Sequence, residues 1–70
     1  MERIAVKSRD IAIVGYDTGT ATLEVAFRDG GVYRYQNVPE KIYREFMNAA
    51  SMGIYFSETI KNAFPYEKIH

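Results

Sequence analysis

The side chains able to do chemistry are few and badly spaced for it. The single histidine, His70, is the last residue, where chain ends commonly fray. Ser8, Ser51 and Ser57 therefore have no internal imidazole to activate them, and Lys7, Lys41, Lys61 and Lys68 stand among charged neighbours rather than in a desolvating apolar run. Glu40 and Glu45 are five residues apart, which does not align them on one helical face, and no carboxylates recur at metal-ligand spacing. With no cysteine there is no thiolate site or disulfide. Gly30-Gly31 falls in a turn between strand candidates and does not lead a strand into a helix, as a phosphate loop requires. These absences argue against an enzyme and against any metal or cofactor.

Aromatic content is the unusual feature, with six tyrosines and four phenylalanines in 70 residues. Single-stranded RNA is held by aromatic stacking while cations follow the phosphates, so Arg28, Tyr33, Arg34 and Tyr35 form a candidate surface. Core packing is the competing use of the tyrosines. A cross-strand position near Glu24 would neutralise the arginines.

The elements that must position these residues can be read from periodicity. Residues 1–36 alternate and carry β-branched and aromatic side chains; residues 39–64 change to spacings of three and four. Ile11 to Tyr16, Thr22 to Arg28 and a third run bearing Tyr33 and Tyr35 are the strand candidates, with Ile4 to Lys7 extending or preceding the first. Asp17-Thr18-Gly19-Thr20 and Asp29-Gly30-Gly31 are the turns. A three-residue loop with Gly31 left-handed sets Phe27 opposite Tyr33 and Val25 opposite Tyr35. It keeps the tyrosines inward and Arg28 and Arg34 outward, whereas a two-residue loop would turn Arg34 into the core.

Pro39 suits a first helical turn and Glu40 its positive end. Ile42, Phe46 and Ala49, beside Tyr43, Met47 and Ala50, give a broad apolar face. Gly53 reads as a stop and Ser57 as the N-cap of a second short helix carrying Phe56, Ile60 and Phe64, ended by Pro65. The expected fold is α+β, a single domain over residues 1–70: a three-stranded antiparallel meander followed by two helices packed on one face.

Lysine plus arginine equals aspartate plus glutamate at nine each, so no global basic field draws nucleic acid. The longest aliphatic stretch, Ile11 to Val14, is far below the roughly 18 residues of a membrane span. Charges interrupt the N-terminal apolar residues, so no secretory signal is read and a cytoplasmic location is the expectation.

One segment resembles a known family. Phe27-Arg28-x-Gly30-Gly31-Val32-Tyr33-Arg34-Tyr35-x-x-Val38-Pro39 is similar to the KTSC domain, named for lysyl-tRNA synthetase C-termini, with Tyr33-x-Tyr35 as its hallmark. The likeness continues upstream through Gly15-Tyr16-Asp17 and downstream through Ala49-Ala50-Ser51-x-Gly53-x-Tyr55-Phe56, Ile60-Lys61 and Pro65-Tyr66. The resemblance implies a binding domain of largely unknown function, with RNA suggested by association with the synthetases. Family positions that are often basic flank the glycine, and an asparagine and an arginine follow. Here those places hold Met52, Ile54, Ser57 and Lys61. Lys61 keeps the charge without the planar fork, and Met52 and Ile54 suggest a protein contact instead.

The combined reading is a non-enzymatic binding domain whose partner is RNA or an RNA-associated protein, with Arg28, Tyr33, Arg34, Tyr35 and Lys61 as the RNA candidates. The alternative is a protein-interaction or self-association module using Met52 and Ile54. Weak homodimerisation is also expected, through an open edge at the first strand with apolar surface around Ile11 and Ile13.

Overall fold

The computed structural model describes all of residues 1–70. Five antiparallel strands form one sheet in sequence order: β1 (Glu2–Ala5), β2 (Ile11–Asp17), β3 (Thr22–Phe27), β4 (Val32–Tyr35) and β5 (Tyr66–Lys68). Helix α1 (Glu40–Met47) and a second helical stretch, α2 (Met52–Tyr55) running into a π-helical turn (Phe56–Ile60), lie between β4 and β5. The α+β class and the central meander agree with the sequence reading, but the strand count does not. β1 is a separate strand paired to β2, and β5 returns along β4 after the helices. The strand beginning at Ile11 is therefore interior, and the edge assigned to it belongs to β1.

The β3–β4 register also needs correction. Val25 lies opposite Tyr33 and Leu23 opposite Tyr35, two residues away from the expected pairing. The loop does hold three residues, but they are Arg28-Asp29-Gly30. Phe27 and Gly31 close it through a backbone bond, and Gly30, at φ 103°, takes the left-handed conformation expected of Gly31. Because a shift of two preserves the face, both tyrosines still share a face with Leu23 and Val25. Arg28 is displaced from the strand into the turn, where its guanidinium donates to the carbonyls of Ser8 and Val6.

Helix α1 starts as expected, with Pro39 extended at its N-cap position and Glu40 in the first turn. The second helix begins earlier than its pattern suggested. Ser51 is the N-cap, its hydroxyl accepting from the Ile54 N–H, Gly53 lies inside the helix, and Ser57 falls in the π-helical turn. The turn's wider winding carries a bond from the Lys61 N–H to the Phe56 carbonyl and leaves both Phe56 and Ile60 buried.

The core lies between one face of the sheet and the helices. Ile11, Val14, Leu23 and Val25 meet Val38, Phe46, Phe56 and Ile60, with Tyr35 completing the layer. A bulge between Ile11 and Ile13 turns Ile11 into this core and Ile13 onto the opposite face. Tyr16 stacks on Tyr43 with ring centroids 4.4 Å apart and donates its hydroxyl to the Val38 carbonyl, which ties β2 to the start of α1.

No helix covers the opposite face, yet Glu24 is buried there. Its carboxylate accepts from Arg3 Nε at 2.7 Å, reaching from β1 across Gly15 of β2, and from Arg34 Nη2 at 3.2 Å on the adjacent β4. The hydrogen bond from Arg3 is the main reason its pKa is held below the ordinary carboxylate value; burial opposes this and the bond from Arg34 reinforces it. A carboxylate with a lowered folded-state pKa contributes stability above the unfolded value, and that contribution is lost as pH falls through the folded value. Thermal unfolding between pH 7 and pH 3 should accordingly show the wild type losing more stability on acidification than Glu24→Gln, which has no proton to take up. Parallel curves would show that this carboxylate does not govern the acid limb.

Candidate functional site

The helices cover β2 and β3 and leave the β4–β5 side of the same face open. The opening is a groove of about 710 Å³. Its floor is set by strand register: Tyr35 lies opposite Tyr66 and Tyr33 opposite Lys68, so all four side chains share the helix-facing side. The π-helical turn and the residues after it form the wall, through Ser57, Lys61 and Asn62, with the buried Phe56 at its foot. The β3–β4 turn closes one end with Gly30 and Gly31, beside His70, whose backbone is bonded to Val32.

The aromatic rings form a continuous series. Phe56 meets Phe27 and Tyr35 edge-on at 5.3 and 5.4 Å. Tyr66 lies 5.3 Å from Tyr35 and 6.0 Å from Tyr33. Exposure separates their roles. Tyr35 is 3% exposed, and burial raises its hydroxyl pKa. Tyr33 is half-buried and Tyr66 is 58% exposed, so these two offer ring surface to a ligand. The Lys68 ammonium stands 5.9 Å from the Tyr33 ring centroid, and Lys61 is exposed on the wall. Asp10 and Asp29 limit the positive field at the turn end. Asp29 already accepts from the Gly31 N–H there. A Cβ at Gly53 would stand 3.2 Å from the Asp10 carboxylate, a tight contact that a small shift of the exposed Asp10 side chain relieves.

The structure brings together Tyr33, Tyr35 and Lys61 from the RNA candidates and separates the two arginines from them. Arg34 points to the opposite face and is held by Glu24. Arg28 is engaged with backbone carbonyls outside the groove. The sequence reading missed Tyr66 and Lys68. The three exposed residues after Pro65 carry no apolar alternation, so the placement of both on one side of a strand follows only from the pairing with β4. Met52 and Ile54 line a second groove, of about 900 Å³, between α2 and the loop Val6–Asp10. Met52 is partly buried against the core, and Ile54 is 59% exposed. No three histidine, aspartate or glutamate side chains converge as metal ligands, and no helix is long and apolar enough to cross a membrane.

A five-stranded sheet backed by two helices, with an aromatic groove left at one side and no metal-ligand cluster, defines a small α+β domain of a recurring kind. Residues 7–64 match the KTSC domain, and the chain belongs to that family. A crystal structure of a KTSC domain protein from Yersinia pestis superposes with a TM-score of 0.94 at 40% identity, covering 99% of this chain and 97% of that one. An uncharacterized protein from Stutzerimonas stutzeri is 36% identical over 61 residues, which are 87% of this chain and 86% of the relative. A lysine–tRNA ligase from Trichormus variabilis is 43% identical over 54 residues, 77% of this chain but 10% of the ligase. The similarity thus spans about a tenth of that larger enzyme, and nothing in it shows catalytic activity for this domain.

Proposed function

We propose that this domain binds single-stranded RNA in the groove between the π-helical turn and the β4–β5 edge. The observation that carries the reading is the joint placement of two partly exposed tyrosine rings, Tyr33 and Tyr66, with Lys61 and Lys68. Bases stack on aromatic faces without regard to sequence, and ammonium groups follow the phosphates. Tyr35 and Phe56 support the floor from beneath. That a related segment forms part of lysine–tRNA ligases supports an RNA partner.

Two phosphate contacts make binding weak and modestly salt-dependent. At about 0.7 per phosphate on a single strand, two lysines give a log–log slope near −1.4, roughly a sevenfold loss of affinity between 50 and 200 mM salt. Titration of a labelled ten-nucleotide single-stranded RNA at several salt concentrations tests this. Replacing Lys61 and Lys68 together by alanine should flatten the slope. Tyr66→Ala should lower affinity by about tenfold or more, the value of one stacked base, with little effect on folding because the ring is already exposed. Absence of binding at 25 mM salt, or binding unchanged in both variants, would overturn the proposal.

A further inference from the structure

The sheet face that carries no helix is patterned in a way the RNA groove does not use. Following the pairing across all five strands, one row reads Arg3, Gly15, Glu24, Arg34, Glu67. The neighbouring row reads Ala5, Ile13, Ala26, Val32 and then Ile69, whose N–H donates to the Val32 carbonyl. Ile13 is 39% and Ile69 42% exposed, so a continuous apolar stripe crosses the face beside a row of alternating charge. The stripe is open to solvent at Ile13 and Ile69, while Met1 and Arg3 lie over Gly15 in the charged row.

We infer that this face is the surface on which a second copy of the chain packs, sheet against sheet. The pattern is self-complementary about a two-fold axis along β3, the middle strand. That operation keeps each row and reverses the strand order. It sets Arg3 on β1 of one copy opposite Glu67 on β5 of the other, and the reverse, with each Arg3 guanidinium shared between that carboxylate and its own Glu24. In the apolar row it sets Ile13 opposite Val32 and Ala5 opposite Ile69, a larger side chain against a smaller one each time, with the small Ala26 at the axis. Glu24 meets its counterpart near the axis, where each carboxylate is already held by its own Arg3 and Arg34. A two-fold axis across the strands would instead oppose like charges throughout the charged row.

The face is narrow. Five strands at about 4.8 Å spacing span roughly 20 Å, and two side-chain rows offer much less than the roughly 800 Å² per partner of stable complexes. The dimer is therefore weak, with a dissociation constant on the order of 0.1 mM. It differs from strand addition at β1, because the bulge in β2 puts Ile13 on this face and Ile11 in the core.

Sedimentation equilibrium of the full chain from about 10 µM to 1 mM should show mass rising toward the dimer. Ile13→Lys should weaken association tenfold or more, so that much less dimer forms at 1 mM, while leaving thermal unfolding close to wild type. Ile69→Lys, next to the chain end, provides a second variant of the same stripe should Ile13→Lys fold poorly. Glu67→Lys should weaken association by opposing Arg3 with a like charge. Strict monomer at 1 mM, or a dimer undiminished by both lysine variants of the stripe, would overturn the inference. RNA titration of Ile13→Lys should match wild type, since the groove lies on the other face.

Discussion

Tyr35→Ala should cost about 3–5 kcal/mol of folding free energy, and Tyr33→Ala about 1–2 kcal/mol, although the two tyrosines are two residues apart on one strand face. Tyr35 is 3% exposed and wedged between Phe56 and Tyr66. Truncation there removes a ring from inside the sheet–helix layer and leaves a cavity that neighbouring rings cannot close. Tyr33 is half-buried, meeting Phe27 edge-on at 5.8 Å while part of its ring borders the groove. Its loss opens a surface that water already reaches. A 70-residue domain has roughly 4–10 kcal/mol in all, so Tyr35→Ala approaches the limit of folding while Tyr33→Ala remains folded. Urea denaturation of both variants measures the difference; equal losses would show that exposure does not divide their roles.

The division between these tyrosines marks how far the sequence could be read. Alternation in β3 and β4 fixed which side chains share a face, because any even shift of register preserves it. It could not say which glycine turns the loop, so the pairing moved by two residues and Arg28 left the strand. The edges were harder. β1 is short and interrupted by charges, and β5 holds three exposed residues after a proline. Neither has the apolar alternation that marks a strand, since both owe their pairing to the strand beside them.

Half of the groove was legible for the same reason. Tyr33, Tyr35 and Lys61 lie in segments with clear periodicity or family resemblance, whereas the place of Lys68, and of Tyr66 despite its part in the resemblance, depends on β5 returning to β4. Arg34 illustrates the converse: a solvent-facing strand position identifies a basic residue but not its partner. Glu24, from the next strand, and Arg3, from a strand the pattern did not separate, complete an ion cluster that removes Arg34 from the RNA surface.

Phe56→Ala should cost about 3–5 kcal/mol and leave the protein largely unfolded at 37 °C, with Phe56→Leu recovering part of the loss. Phe56 is 6% exposed at the start of the π-helical turn, and its ring touches Phe27 from β3, Tyr35 from β4 and Phe46 from α1. With Ile60 in the core and Tyr55 against Phe46 and Glu45, it is one of the side chains through which the second helical stretch holds the sheet and α1. That stretch has only a four-residue helix before the π-helical turn, too short to persist without its tertiary contacts. Losing the ring therefore removes one cause of local order as well as apolar burial, and the wall bearing Lys61 is lost with it. Leucine restores most of the apolar volume but not the two edge-to-face contacts with Phe27 and Tyr35, worth about 0.5–1.5 kcal/mol for each pair. Circular dichroism melts of the two variants give the stability order. The RNA titration separates packing from contact: Phe56→Leu, once folded, should bind nearly as wild type, because the ring supports the floor of the groove and does not face the ligand. A fully stable Phe56→Ala would show that α2 is held to the sheet by other contacts.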